Sequence, residues 1–140
     1  MKVPAQDEPP VTLTRKIALA YALILAAVAA LNYVPGLTDA QGLAFGIFAL
    51  DIYDDGLHLA SALLALSAAL WSHQTAKWFL ILFGAAYLAD GALGLVTGVG
   101  YLDLAICISG PVDLPFWFKI LANTPHIGLG GFALVMGIRG

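Results

Sequence analysis

Long stretches in which nearly every position is apolar alternate with short polar or turn-forming stretches along this chain. Four of the apolar stretches approach the ~20 residues, at 1.5 Å rise each, that a helix needs to cross the hydrocarbon of a bilayer. The first runs from about Arg15 to Tyr33 and stops at Pro35 and Gly36. The second runs from about Asp54 to Trp71, and the third from about Ala76 to Val96 after the short polar turn "SHQTAK". The fourth runs from about Asn123 to Ile138. Apolar residues occupy every face of each segment, as expected of helices surrounded by lipid. The pattern predicts an all-α fold: a four-helix transmembrane bundle over residues 15–140, preceded by a disordered tail at residues 1–14.

Composition supports this. Of 140 residues, 61% are hydrophobic and 11% charged, against about 45–50% and about 25% in soluble domains. So few charges cannot coat a water-facing surface, which makes the lipid bilayer the expected partner. No basic patch with interleaved aromatics occurs, so nucleic acid is not an expected partner. The single Cys, Cys107, rules out an intramolecular disulfide and any cysteine-based metal cluster. Its role is left open between packing, redox chemistry and lipidation. Arg15 and Lys16 before a run ending in "AAVAAL" resemble a signal peptide, but about 18 apolar residues follow, longer than a typical signal core. A retained first span is the expectation.

Charge position predicts orientation. With the N-terminus inside, Lys2, Arg15, Lys16, Lys77 and Arg139 all lie on the cytoplasmic side, leaving Lys119 alone outside. Asp39, Asp51, Asp54, Asp55, Asp103 and Asp113 fall outside, and Trp71 and Trp78 flank the inner turn. Both termini are therefore expected in the cytoplasm, with the chain in a bacterial inner membrane. The outer loops at residues 37–53 and 98–122 are too apolar to float freely and are expected to lie along the outer interface, capping the bundle. Gly84, Gly91, Gly94 and Gly98 in the third span, and Gly128, Gly130 and Gly131 in the fourth, suit close helix packing in lipid. They name no partner; a membrane-protein partner and a homo-oligomer both stay open.

The polar residues inside this apolar frame are the candidate chemistry. "DGLHLASALLAL" from Asp55 aligns with "NTPHIGLGGFAL" from Asn123. Asp55 and His58 then match Asn123 and His126, both His open a span, and spans one and two look repeated in parallel by three and four. Asp54 shares the helix face of His58, four residues on. Asp55 and Asn123 are candidates to cap their helices, with Pro125 in the first turn of the fourth. Asp90 lies about mid-span in the third helix, where a charge costs at least ~2.5–3.5 kcal/mol on insertion scales. It must face the bundle, be protonated or pair. At 1.5 Å per residue it is expected roughly two turns from the His layer.

"GLAFGIFALDIYDDGLHLASALLAL" together with "NTPHIGLGGFAL" resembles a family of small four-helix bacterial integral membrane proteins, a domain of unknown function with paired Asn-x-x-His motifs at the starts of spans two and four. The resemblance covers roughly residues 15–138, with Gly46 and Phe48 matching a G-x-F turn and His58 and His126 the motif histidines. Asp55 stands where the pattern usually has Asn. The resemblance implies topology and carries no activity.

Three functions fit the residues. One is a structural or accessory membrane protein in which His58 and His126 hydrogen-bond to Asp54, Asp55 or Asn123 and lock the outer end of the bundle. A second is a metal site using His58 and His126 with Asp54 or Asp55, or a b-type haem held between the two imidazoles. A third is proton- or cation-coupled transport with Asp90 as the intramembrane titrating group. No nucleophile with a positioned base, no phosphate loop and no paired carboxylates facing a substrate are legible, so an enzyme is not expected. His73, beside Ser72 and Gln74, reads as a solvated loop residue.

Overall fold

A computed structural model describes residues 10–140; most of the N-terminal tail expected at residues 1–14, Lys2 included, lies outside them. The described chain is mostly helical. Among the described residues four long helices carry the fold: α1 (Leu13–Ala30), α2 (Ile52–Trp71), α3 (His73–Thr97) and α5 (Phe116–Arg139), with a short α4 (Ala105–Ser109) in the loop between α3 and α5. The loop between α1 and α2 folds into a two-stranded antiparallel hairpin, β1 (Leu43–Ala44) and β2 (Phe48–Ala49), with Leu43 opposite Ala49 and Ala44 opposite Phe48. Asp39 fixes this hairpin by accepting from the Gln41 and Leu43 N–H groups.

Side-chain size is sorted in the membrane manner. The core mixes many alanines (Ala18, Ala62, Ala65, Ala69, Ala76 and Ala133) with the aromatics Tyr21, Phe83 and Tyr87, and among the described residues only two leucines, Leu25 and Leu80, are fully buried. Outside stand Leu23, Leu63, Leu64, Leu82 and Phe132, each more than half exposed. In water this would be inverted. In lipid, where tails are as apolar as leucine, small residues let backbones approach and dispersion holds the helices. α1, α3 and α5 are each long and apolar enough to cross a membrane, and together with this sorting they mark an integral membrane protein. α2 has the length, but Asp54, Asp55 and His58 in its first two turns shorten its apolar stretch, and it falls outside that set.

α1 packs chiefly on α2, and α3 on α5. The α3–α5 seam is glycine against glycine: a Cβ on Gly84 would strike the Leu134 backbone and the Gly130 carbonyl, and one on Gly130 the Leu88 N–H. Gly128 and Gly131, expected at the same seam, have nothing within 4 Å of such a Cβ and face away from it. The end of the bundle that holds the α2–α3 junction is tied by polar caps. Arg15 donates to the Ala69 and Leu70 carbonyls at 2.6 and 3.1 Å, closing the C-terminus of α2. Ser72 and Thr75 form a capping box at the start of α3.

Several helix limits differ from expectation. α2 and α3 are separated by Ser72 alone, so "SHQTAK" is not a turn but the opening of α3. His73 is accordingly a helical residue that bonds the Thr12 hydroxyl and the Gly140 carbonyl at 3.0 and 3.1 Å, tying both ends of the described chain together. Asp51, not Asp55, caps α2, accepting from the Tyr53 and Asp54 N–H groups. α5 begins at Phe116, directly after Pro115, so Asn123 is not its cap. Inside α5, Asn123 and Thr124 instead bond back to the Lys119 and Ile120 carbonyls at 2.8 and 2.6 Å, just before Pro125 removes a helical donor.

Candidate functional site

The early start of α5 decides the site. It sets His126 deep in the helix rather than in its first turn, and that depth is the level of Asp90 on α3. Nδ1 of His126 lies 2.5 Å from Oδ2 of Asp90, so the two-turn gap expected from sequence is absent. The other carboxylate oxygen of Asp90 accepts from the Tyr101 and Leu102 N–H groups at 2.7 and 2.9 Å. These amides arrive from the loop after α3, which folds back over the end of that helix. Gly100 lets it come that close, because a Cβ there would sit 2.5 Å from the carboxylate. Asp90 is thus a buried anion with three donors, which answers the mid-span cost by satisfying the group completely.

His58 is held differently. Its Nδ1 lies 2.8 Å from the carbonyl of Asp54, four residues back on α2, and 3.4 Å from Oδ2 of the same residue. Both rings therefore present Nδ1 to an obligate acceptor, so in the neutral rings the proton sits on Nδ1 and Nε2 is left as an acceptor. The two ring centroids are 6.0 Å apart. Tyr87 fits beside them, 5.0 Å from His126 and 6.3 Å from His58, with its hydroxyl 3.0 Å from that of Ser61. Tyr87 was not evident as a site residue, although its place three residues before Asp90 on α3 puts it on the same face.

Asp54 and Asp55 contrast with Asp90. Both are buried, and no donor bonds Oδ2 of Asp54 or either carboxylate oxygen of Asp55. The Tyr33 hydroxyl lies beside Asp55. Asn123 is buried against Gly94, where a Cβ would collide with its side-chain oxygen. Asp55 and Asn123, matched in sequence, therefore have different surroundings.

These residues line a half-open cavity of about 550 Å³, partly covered by the hairpin loop and the α4 loop. His58, His126, Asp54, Asp90, Asn123 and Pro125 line its floor side, and Phe45, Phe48 and Phe118 are among the apolar walls. The two loops expected to cap the bundle do so, as the partial roof of this chamber. Asp103, at the start of the α4 loop, also lines it. Burial pushes the Asp103 carboxyl above the usual carboxylate range, the Ala105 N–H opposes this, and the Asp54 and Asp90 carboxylates add to the rise. Sequence reading missed Asp103 as a site residue because nothing in "YLDLAICIS" shows that its loop folds inward.

No protein-family model, curated protein or solved structure matches this chain. The site must be read from its own chemistry. Among the described residues no group of three or more His, Cys, Asp or Glu side chains is arranged to hold a metal ion. What the geometry offers is a drug-sized, mostly apolar chamber with a few convergent polar groups, the usual form of a small-molecule site.

Proposed function

We propose that the chain is a four-span protein of the bacterial cytoplasmic membrane, a four-helix transmembrane bundle with both termini inside, whose outer end binds a small ligand. Its role is accessory: it holds the ligand and does not turn it over. One observation supports this above the others. His58 and His126, from two helices far apart in sequence, bring their rings to 6.0 Å at the floor of a partly covered cavity of about 550 Å³. A network serving only to lock helix ends would be favoured by close packing and has no use for such a space.

Ala122 lines the chamber, and Ala122→Trp would fill it. Native mass spectrometry from lipid nanodiscs, after incubation with a panel of drug-sized amphiphiles, should show one-to-one adducts on the parent protein and none on this variant. Adducts on both, or on neither, would remove the reading. Orientation rests on the segregation of basic residues: Arg15, Lys16, Lys77 and Arg139 against Lys119. In a Cys107→Ser background, a membrane-impermeant maleimide should label Lys119→Cys in intact cells and leave Lys77→Cys unlabelled.

The second reading is a metal or haem held by the two imidazoles. The same 6.0 Å approach favours it, and each Nδ1 is anchored as the outer partners of metal-bound histidines are. Elemental analysis and a visible spectrum of the purified protein separate it from the first. Transport through Asp90 has less support, because its three donors suit a fixed anion better than a carrier.

A further inference from the structure

Building on the ligand chamber just proposed, we infer that its occupant is a lipophilic organic cation: a protonated amine carried on an apolar body. The polar inventory of the chamber is one-sided. Four aspartates line it, Asp51, Asp54, Asp90 and Asp103, and among the described residues no Lys or Arg does. Three of these are engaged by the protein itself. Asp51 caps α2, Asp90 has its three donors, and Asp103 accepts from the Ala105 N–H at 3.0 Å. Asp54 is the exception. Its side chain is nine-tenths buried, and its Oδ2 has no hydrogen-bond donor.

A buried carboxylate oxygen without a donor is costly, and a protein keeps one where something else supplies the partner. His58 Nδ1 comes to 3.4 Å from Oδ2 of Asp54 but is given to the Asp54 carbonyl at 2.8 Å. With Nδ1 of both His turned to oxygens, each Nε2 is left with a lone pair. A carboxylate and two imidazole acceptors match an ammonium group, which has three donors and accepts nothing. The remaining walls are apolar, with Phe45, Phe48 and Phe118 suited to an apolar body and to the face of a cation. A bare metal ion would use a fraction of a 550 Å³ space and would have no use for these walls.

The test uses the full chain in lipid nanodiscs with a matched pair of probes, 1-naphthylmethylammonium and the neutral 1-naphthylmethanol, followed by naphthalene fluorescence anisotropy. The ammonium should bind saturably and the alcohol at least about thirtyfold more weakly, the low end of what a desolvated charge pair is worth. Asp54→Asn should erase that preference. Should this variant not fold, Asp103→Asn decides instead: the preference must shrink, and an unchanged one overturns the proposal. Equal binding of both probes, or a preference that survives Asp54→Asn, refutes the cation and leaves the ligand chamber standing. Saturable binding of neither probe, with one metal ion per chain by elemental analysis, defeats the cation and the organic ligand together; without the metal, it defeats the cation alone.

Discussion

Two aspartate–histidine pairs sit side by side on one chamber, and they are built to opposite specifications. In the Asp90–His126 pair the partners come from different helices, and a loop is lowered onto the carboxylate to supply two further donors. In the Asp54–His58 pair both partners sit on α2, the imidazole is held mainly by a backbone carbonyl, and carboxylate Oδ2 is left without a donor. The first pair joins α3, α5 and the loop after α3, and so belongs to folding. The second has both partners on α2 and ties no other element to the carboxylate, and it is there that the proposed cation would bind. Residue type alone would have ranked them equal.

The largest effect should come from removing the carboxylate that holds the elements together. Asp90→Leu leaves the Tyr101 and Leu102 N–H groups and His126 Nδ1 without an acceptor in a dry site, a loss of roughly 3–5 kcal/mol by analogy with broken buried pairs. Denaturant titration in mixed micelles would measure it, and Asp54→Leu is the control. Equal losses at the two positions would abolish the distinction between the pairs. Gly100→Ala attacks the same corner from the loop side, since its Cβ would press on the Asp90 carboxylate at 2.5 Å. A loss of about 1–3 kcal/mol is expected, as for other overpacked sites. A melting temperature unchanged by Gly100→Ala would mean that the loop does not sit on Asp90.

Much of this arrangement is written in local sequence, and the decisive part is not. The apolar segments, the inward pressure on Asp90, the capping role of the outer loops and the segregation of Lys and Arg all follow from composition and position. The start of α5 does not. "LPFWFKILANTPHI" has two prolines, and a helix can begin at either; the aligned histidines favoured Asn123, while tertiary packing begins the helix at Phe116, after Pro115. That difference moves His126 down to Asp90. Gly100 and the amides after it were equally hidden, because backbone donors leave no mark in a sequence. Asp54 and Asp55 were visible as a charged helix start, and half of that expectation holds: the helix does begin there, but the cap is Asp51, while Oδ2 of Asp54 and both carboxylate oxygens of Asp55 accept no hydrogen bond on its buried side.

A smaller effect tests whether Tyr87 belongs to either pair. Its hydroxyl meets Ser61 rather than a carboxylate or an imidazole, and its ring stacks on Phe83 at 4.0 Å. Tyr87→Phe keeps the ring and removes one interhelical hydrogen bond, worth ~0.6 kcal/mol on average within membranes. A loss several times larger would show that the hydroxyl also steadies the two histidines, and Tyr87 would then join the site itself.

The smallest change in stability is expected at the residue with most to do with the ligand. Asp54→Asn keeps the side chain's shape, leaves Asp51 to cap α2, and keeps the Asp54 carbonyl that holds His58. It removes a carboxylate whose Oδ2 accepts no hydrogen bond and has only His58 Nδ1 at 3.4 Å beside it, a donor already held by the Asp54 carbonyl, and replacing poorly compensated buried charge is often neutral or stabilising. The ligand-free variant should therefore unfold within ~0.5 kcal/mol of the parent or slightly above it. Measured beside Asp90→Leu in the same micelles, that near-zero value would separate a group kept for folding from one kept in spite of it. A loss at Asp54 matching that at Asp90 would mean the open oxygen is paired in the folded protein after all, and the contrast between the two corners would vanish.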